Sequence, residues 1–244
     1  MKNLLLILVI LMSNQEINSQ QNEPVKEIHS PVPPKVTPGK VDSDAPSDAI
    51  ILFDGKNLDE WMSNNGDKPA QWTVNDGSFT VKKGTGAIRT KRVFTNYQLH
   101  IEWLIPANIT GKGQARGNSG VFLGDYEIQI LDSYENETYV NGQAGSVYKQ
   151  HIPLVNASRK PGEWQSFDII WTAPQFSNDT LTSKGRVTVY HNGVLIQNNV
   201  EVIGVTVNNG RPYYKAHGPL PIRLQDHGDP SEPVSFRNIW LREL

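Results

Sequence analysis

Residues 126–133 read YEIQILDS, and the fold turns on this stretch. Successive side chains of a strand point to opposite faces, so if Ile128 and Ile130 face a core, Glu127 and Gln129 must face away from it. Those two polar groups then stand roughly 7 Å apart. Asp132 falls at the strand end, where a bulge or bend decides whether it joins them. A solvated strand face would account for the pattern here; other segments repeat it.

The same period of two runs through most of the chain. Leu99, Ile101 and Trp103 alternate with His100 and Glu102 in NYQLHIEWLI, and Phe167, Ile169 and Trp171 do so in SFDIIWTA. QWTVNDGSFTV and GRVTVYHNGVLI read as hairpins, closed at Asn75–Gly77 and at Asn192-Gly193. PIRLQDHG sets Ile222 and Leu224 against Arg223 and Gln225, and VSFRNIWLREL closes the chain as another strand. No stretch keeps a helical period over three turns, and there is no internal repeat of propeller or solenoid length. These strands predict an all-β domain of two stacked antiparallel sheets around one core, each with a free outer face. If one sheet curves, its outer face becomes a concave groove.

Composition narrows the function. With 23 basic and 25 acidic residues, net charge −2 and both signs interspersed, nothing favours nucleic acid or an anionic membrane as partner. Cysteine is absent, which excludes disulfides, a thiolate nucleophile and a lipidated cysteine. Lys2 followed by the apolar run Leu4–Met12 and small Ser19 reads as a signal peptide over residues 1–19, too short to span a bilayer, so a soluble exported protein is expected. Residues 20–48 are rich in Pro, Ser and charge with no apolar period and read as a disordered linker, placing the domain at 49–244.

Polar residues gather at strand positions elsewhere too: His100 and Glu102, Asn118, the run Gln225, Asp226 and His227, and Arg237 with Asn238. Half-buried polar groups need partners, and sugar hydroxyls supply them. The spacing E-x-Q-x-x-D resembles the carboxylate trio of sandwich-fold glycosidases, with an amide in the middle place. Retaining hydrolysis needs two carboxyl groups about 5 Å apart, a role for Glu127 with Asp132. Trp72, Trp103, Trp171 and Trp240 read as core; Trp61 and Trp164 stay open as sugar platforms. No cofactor is expected. The histidine spacings match no helical zinc motif, leaving only a divalent site assembled from His217, His227 or Asp226, and no phosphate loop is present.

Taken in order, LFDGKNLDEW, WTVNDGSF, LHIEW, NSGVFL, YEIQILD, PGEWQSFDI, YHNGVLI and LQDHGDPSEPVSFRNIWLREL resemble the domain of unknown function 1080. This is the 3-keto-disaccharide hydrolase family, of 3-keto-glucoside 1,2-lyases and 3-keto-2-hydroxy-glucal hydratases. The resemblance runs from about Ile51 to Leu244. It implies a concanavalin A-like jelly roll, export to the periplasm or medium of a bacterium, and a small 3-keto-glycoside as substrate. A ketone at carbon 3 acidifies the hydrogen on carbon 2, so the glycosidic oxygen can leave by way of an enolate, and water then adds. On this reading Glu127 or Glu102 is the base and His227 the acid or second base, imidazole being the side-chain class that changes charge near neutral pH. Arg223 or Arg237 faces the enolate oxygen, and Gln129, Asp132, Asn118 and Gln225 hold hydroxyls. The other readings are a conventional glycoside hydrolase on unoxidised sugar and a carbohydrate-binding module without catalysis. All of these site assignments assume that polar side chains from five segments meet on one surface.

Overall fold

A computed structural model describes residues 26–244; the signal-peptide expectation for residues 1–19 lies outside the described residues. Residues 26–35 carry no strand or helix, and the compact unit of the protein begins at Val36. Thirteen residues of the Pro-rich stretch, 36–48, therefore belong to the same unit as the strands. Ser43 shows what they do there: its carbonyl accepts hydrogen bonds from Asn238 Nδ2 at 2.9 Å and Trp240 Nε1 at 3.0 Å.

The strands are β1 (Ile50–Phe53), β2 (Trp61–Ser63), β3 (Thr73–Asn75), β4 (Ser78–Thr80), β5 (Ile88–Thr90), β6 (Tyr97–Leu104), β7 (Ser119–Leu123), β8 (Tyr126–Ile130) and β9 (Trp164–Thr172), followed by β10 (Gln175–Ser177), β11 (Thr180–Ser183), β12 (Arg186–His191), β13 (Val194–Glu201), β14 (Ile222–Leu224) and β15 (Ser235–Glu243). Eight of them form one sheet in the order β13-β12-β9-β6-β15-β4-β3, with β1 also paired to β15. Five form a second, β2-β5-β14-β7-β8, and β10-β11 is a separate hairpin. The two large sheets are antiparallel and stack as a jelly-roll sandwich, as the alternation predicts.

Both expected hairpins are present. Asp76 and Gly77 between β3 and β4 have φ of 47° and 74°, and Asn192 and Gly193 between β12 and β13 have 53° and 78°. Positive φ at both central residues is the type I′ geometry that matches strand twist, which is why Asx-Gly closes these turns.

One continuous core lies between the sheets. Leu99, Ile101 and Trp103 of β6 and Phe167, Ile169 and Trp171 of β9 face Val121, Ile128, Ile130, Ile222 and Leu224 of the smaller sheet. Trp61 is also buried, its Nε1 donating to the Leu52 carbonyl at 2.8 Å, so it is not a sugar platform. Trp240 is buried differently: it pairs with His100 on the outer face of β6 and stacks on its ring at 5.3 Å, beneath residue 43. A bulge at Asn238, with φ 46°, sets this register, putting Arg237 and Trp240 on the same outer face.

Because the two sheets share a core, their outer faces point away from each other. Glu127, Gln129, Arg223 and Gln225 lie on the outer face of the five-stranded sheet, and His100, Glu102 and Arg237 on that of the eight-stranded sheet. The five segments read from the sequence do not converge on one surface.

Candidate active site

The register of β8, β7 and β14 arranges the outer face of the smaller sheet in two rows. One runs Glu127, Phe122, Arg223; the next runs Gln129, Gly120 and, through its main-chain N–H to the Gly120 carbonyl at 3.1 Å, Gln225. Gly120 is the low point. A Cβ there would collide with Glu127 Oε1, so the missing side chain gives the carboxyl its place. Segment 145–148 extends the sheet beyond β8: Gln129 N–H donates to Ser146 O at 3.0 Å and Tyr148 N–H to Glu127 O at 3.1 Å. That pairing raises Tyr148 as a wall beside Glu127.

Together these elements enclose a cavity of about 210 Å³. Glu127, Gln129, Asn118, Gln225 and His227 line it, as do Tyr148 and Asn208, which nothing in the sequence singled out. Glu127 is only 4% exposed, and among the described residues no side chain donates a hydrogen bond to its carboxyl group. Burial pushes its pKa up to about 8, against the smaller opposing pull of the Arg223 and Lys149 charges. The group is therefore mostly protonated at pH 7 and a comparatively strong base once ionised.

His227 follows β14 on a turn made by Gly228 at φ 76°. Its Nδ1 lies 3.2 Å from Asp229 Oδ2, while Asp229 Oδ1 accepts from Ser231 N–H at 2.9 Å and from the Ser231 hydroxyl. Ser231 in turn accepts from Gly117 N–H at 2.9 Å, tying the turn to the strand before the cavity. A carboxylate at Nδ1 fixes the ring and leaves Nε2 for the cavity. Burial, the Tyr139 hydrogen bond at 2.6 Å and the Glu127 charge all push the Tyr148 phenol up, so it remains an O–H group.

The other expected site residues lie elsewhere. Asp132 is 1% exposed, with Oδ2 taken by Arg116 Nε and Oδ1 by Tyr134 N–H at 3.1 Å. It pins the loop after β8 to the approach to β7 and does not line the cavity. Arg223 sits over the Phe122 ring, its Cζ 4.0 Å from the ring centre, with Asp125 3.8 Å away, and reaches Glu127 through its charge.

Glu102 and Arg237 are placed on the opposite outer face, where Arg237 Nε donates to Glu102 Oε2 at 2.6 Å and Asn238 Nδ2 to Oε1 at 2.9 Å. Burial works against the charge on Glu102, but the His100 ring 3.6 Å away and the hydrogen bonds from Asn238 and Arg237 outweigh it and bring the pKa down to about 2. Arg237 also covers Trp164, 4.1 Å from the ring centre, which removes that ring as an open platform.

Among the described residues no three His, Asp or Glu side chains group to hold a metal. His217 is occupied by Tyr126 OH at 3.0 Å and Gly218 O at 2.7 Å, and Asp226 Oδ2 by the Gly84 and Gly86 N–H groups at 2.8 and 3.1 Å.

Fold and site together define the class: a jelly-roll sandwich with a small polar cavity on the outer face of one sheet. Within that class the chain belongs to the 3-keto-alpha-glucoside-1,2-lyase-like family, whose profile matches residues 48–242, and this sets it among carbohydrate-acting enzymes. It is similar to a candidate glycosyl hydrolase from Parabacteroides distasonis ATCC 8503, with 57% identity, a TM-score of 0.87, and coverage of 89% of this chain and 94% of the other. A second candidate glycosyl hydrolase of that organism shares the fold at 22% identity and TM-score 0.58, covering 80% of this chain and 94% of its own. No curated protein sequence matches the chain.

Proposed function

We propose that the protein cleaves 3-keto-glycosides by elimination followed by hydration, as an exported enzyme. The observation that carries this reading is that Glu127 brings the single carboxyl group to the cavity among the described residues. Of the two carboxylates that hydrolysis of an unoxidised sugar would draw from β8 and its end, Asp132 is spent on Arg116, whereas enolate chemistry needs only one base.

In the proposed reaction ionised Glu127 takes the proton from carbon 2, and the electron pair moves to the carbon 3 oxygen as an enolate. The enolate re-forms the ketone as the bond from carbon 1 to the glycosidic oxygen breaks, and His227 Nε2 protonates the departing oxygen. Water then adds at carbon 1 of the 2-hydroxy-3-keto-glucal, giving its proton to His227, while Glu127 returns its proton to carbon 2. Both groups end as they began. Tyr148, an O–H group facing the same space, turns its one proton from Tyr139 to the enolate oxygen. Membership of the 3-keto-alpha-glucoside-1,2-lyase-like family supports the substrate class. Export rests on the amino-terminal apolar run, and no helix among the described residues is long and apolar enough to cross a membrane.

The test compares a glucoside with its 3-keto form, following aglycone release and enone absorbance. Turnover of the oxidised sugar alone is expected. Equal turnover of both would return the protein to the conventional hydrolases, and binding of both without turnover would make it a carbohydrate-binding module.

A further inference from the structure

The wall of the cavity has a polarity that can be read outward from the backbone. Gln114 lies in a short 3-10 turn, Gly113–Ala115, and its Nε2 sits 2.9 Å from the Gly142 carbonyl and 2.9 Å from Thr138 Oγ1. A carbonyl can only accept, so Gln114 must present Nε2 there and turn Oε1 the other way. Asn118 is fixed by the same logic: its Nδ2 donates to the Gln114 carbonyl at 2.9 Å, so its Oδ1 faces β8. Gln129 meets both oxygens, Gln114 Oε1 at 3.1 Å and Asn118 Oδ1 at 3.3 Å, and must donate Nε2 to them. Its own Oε1 is left toward the cavity, buried and without a donor among the described residues, in a residue 1% exposed. Gln225, two strands away across Gly120 in the same row, has a side-chain amide with no partner among the described residues, so its neighbours leave it free to turn either end to the cavity. The Gln129 acceptor needs a donor from elsewhere.

We propose that Gln114 and Asn118 are positioning residues that lock the Gln129 side of the cavity as an acceptor wall, and that the site takes an uncharged sugar presenting a free hydroxyl to Gln129 Oε1. This rests on the reading of the cavity as a sugar site and adds its selectivity. Among the described residues no Lys or Arg lines the cavity and Glu127 does, so a sugar acid or sugar phosphate would bring its charge beside the Gln129 carbonyl oxygen and the Glu127 carboxyl.

The test is calorimetric titration of the full chain with methyl α-D-glucopyranoside, its monodeoxy analogues and the corresponding glucuronide. At least one deoxy analogue, and the glucuronide, are expected to bind about tenfold or more weakly than the parent. Gln114→Ala frees the Gln129 amide to turn, so the same deoxy penalties should shrink to about threefold or less, a change that mere loss of stability would not produce. Equal binding of parent, deoxy sugars and glucuronide by the natural protein overturns the acceptor wall and leaves the sugar site standing. Full penalties retained in Gln114→Ala overturn the role of Gln114. Absence of binding by the glucoside and by its 3-keto form alike overturns the sugar site itself.

Discussion

On the outer face of the eight-stranded sheet the Glu102 carboxylate meets Arg237, Asn238 and His100; on the outer face of the five-stranded sheet the Glu127 carboxyl meets no donor among the described residues. Both residues are buried, at 9% and 4% exposure, and both alternate with core residues on a strand. Their pKa values nonetheless part in opposite directions, to about 2 and about 8. Burial raises both; partners decide which one ends low. Glu102 is held as a weak base by its partners, whereas the desolvation cost of Glu127 is only partly offset by the Arg223 and Lys149 charges. A cost of this kind marks Glu127 as the candidate for the proposed chemistry.

The largest effect should come from replacing Glu127. Glu127→Gln keeps the shape and removes the base, so turnover of a 3-keto-glucoside should fall by about 10³-fold, within the range for general-base loss. The pH profile of kcat/KM for the natural protein should rise through about pH 8, where Glu127 ionises. A profile already flat from pH 6 to 9 would remove Glu127 from the role of base.

The same substitution should move stability the other way. A carboxyl whose folded pKa lies above its unfolded value binds more protons when folded, so the folded protein loses relative stability as pH rises from about 4.5 to about 8. Glu127→Gln escapes that loss. In urea melts it should be more stable than the natural protein by roughly 3 kcal/mol at pH 9, with the gap closing by pH 5. No pH dependence of the gap would mean that Glu127 is not desolvated as the geometry has it.

Gly120 sharpens the comparison next. Gly120→Ala places a methyl group against Glu127 Oε1, and the carboxyl must swing out of its place. Turnover should fall by about 10–100-fold, since a shift of about 1 Å in a catalytic group carries a cost of that size, and stability by roughly 1–3 kcal/mol. Unchanged kinetics would show that the cavity tolerates a displaced Glu127.

These sites also show what a sequence can disclose. Period two in β6, β8 and β9 and the Asx-Gly turns are local rules, and they read through to the sandwich directly. Period two also assigns Glu127, Gln129, Glu102 and Arg237 to outer faces, but it carries no information about which outer face, because that depends on which sheet each strand enters. Glu102 and Arg237 were legible as polar and outward, and only strand order places them on the far side from Glu127. Tyr148 and Asn208 sit in loops with no period, and their approach to the cavity is made by segment 145–148 lying along β8 and by Lys149 Nζ bonding the Asn208 carbonyl at 2.9 Å. The amide in E-x-Q-x-x-D becomes intelligible only in three dimensions: Gln129 must donate to two oxygens, which a carboxylate cannot do.

The smallest effect on activity is expected on the far face, and it is the control that gives the comparison its meaning. Glu102→Gln leaves Arg237 short of its charged partner and weakens the hold on His100, whose Nε2 lies 3.6 Å from Glu102 Oε1 and whose Nδ1 lies 2.6 Å from Asp168 Oδ1. Turnover should stay within about twofold while stability at pH 6 falls by roughly 1–2 kcal/mol, the network being partly open to water at Arg237. The sign with pH follows from both partners. Glu102 contributes above pH 4.5, and its share is lost as pH falls through about 2. Burial opposes charge on His100, yet the Asp168 carboxylate, which accepts from its Nδ1, and the Glu102 carboxylate 3.6 Å from its Nε2 raise its pKa to about 9, so its share is full below 6.5 and lost as pH rises through about 9. The deficit of Glu102→Gln should therefore be greatest between about pH 4.5 and 6.5 and shrink on both sides, whereas the gap for Glu127→Gln grows steadily toward alkaline pH. Parallel pH dependence in the two variants would mean that the two faces are electrostatically alike; a large loss of turnover in Glu102→Gln would bring the far face back into the chemistry.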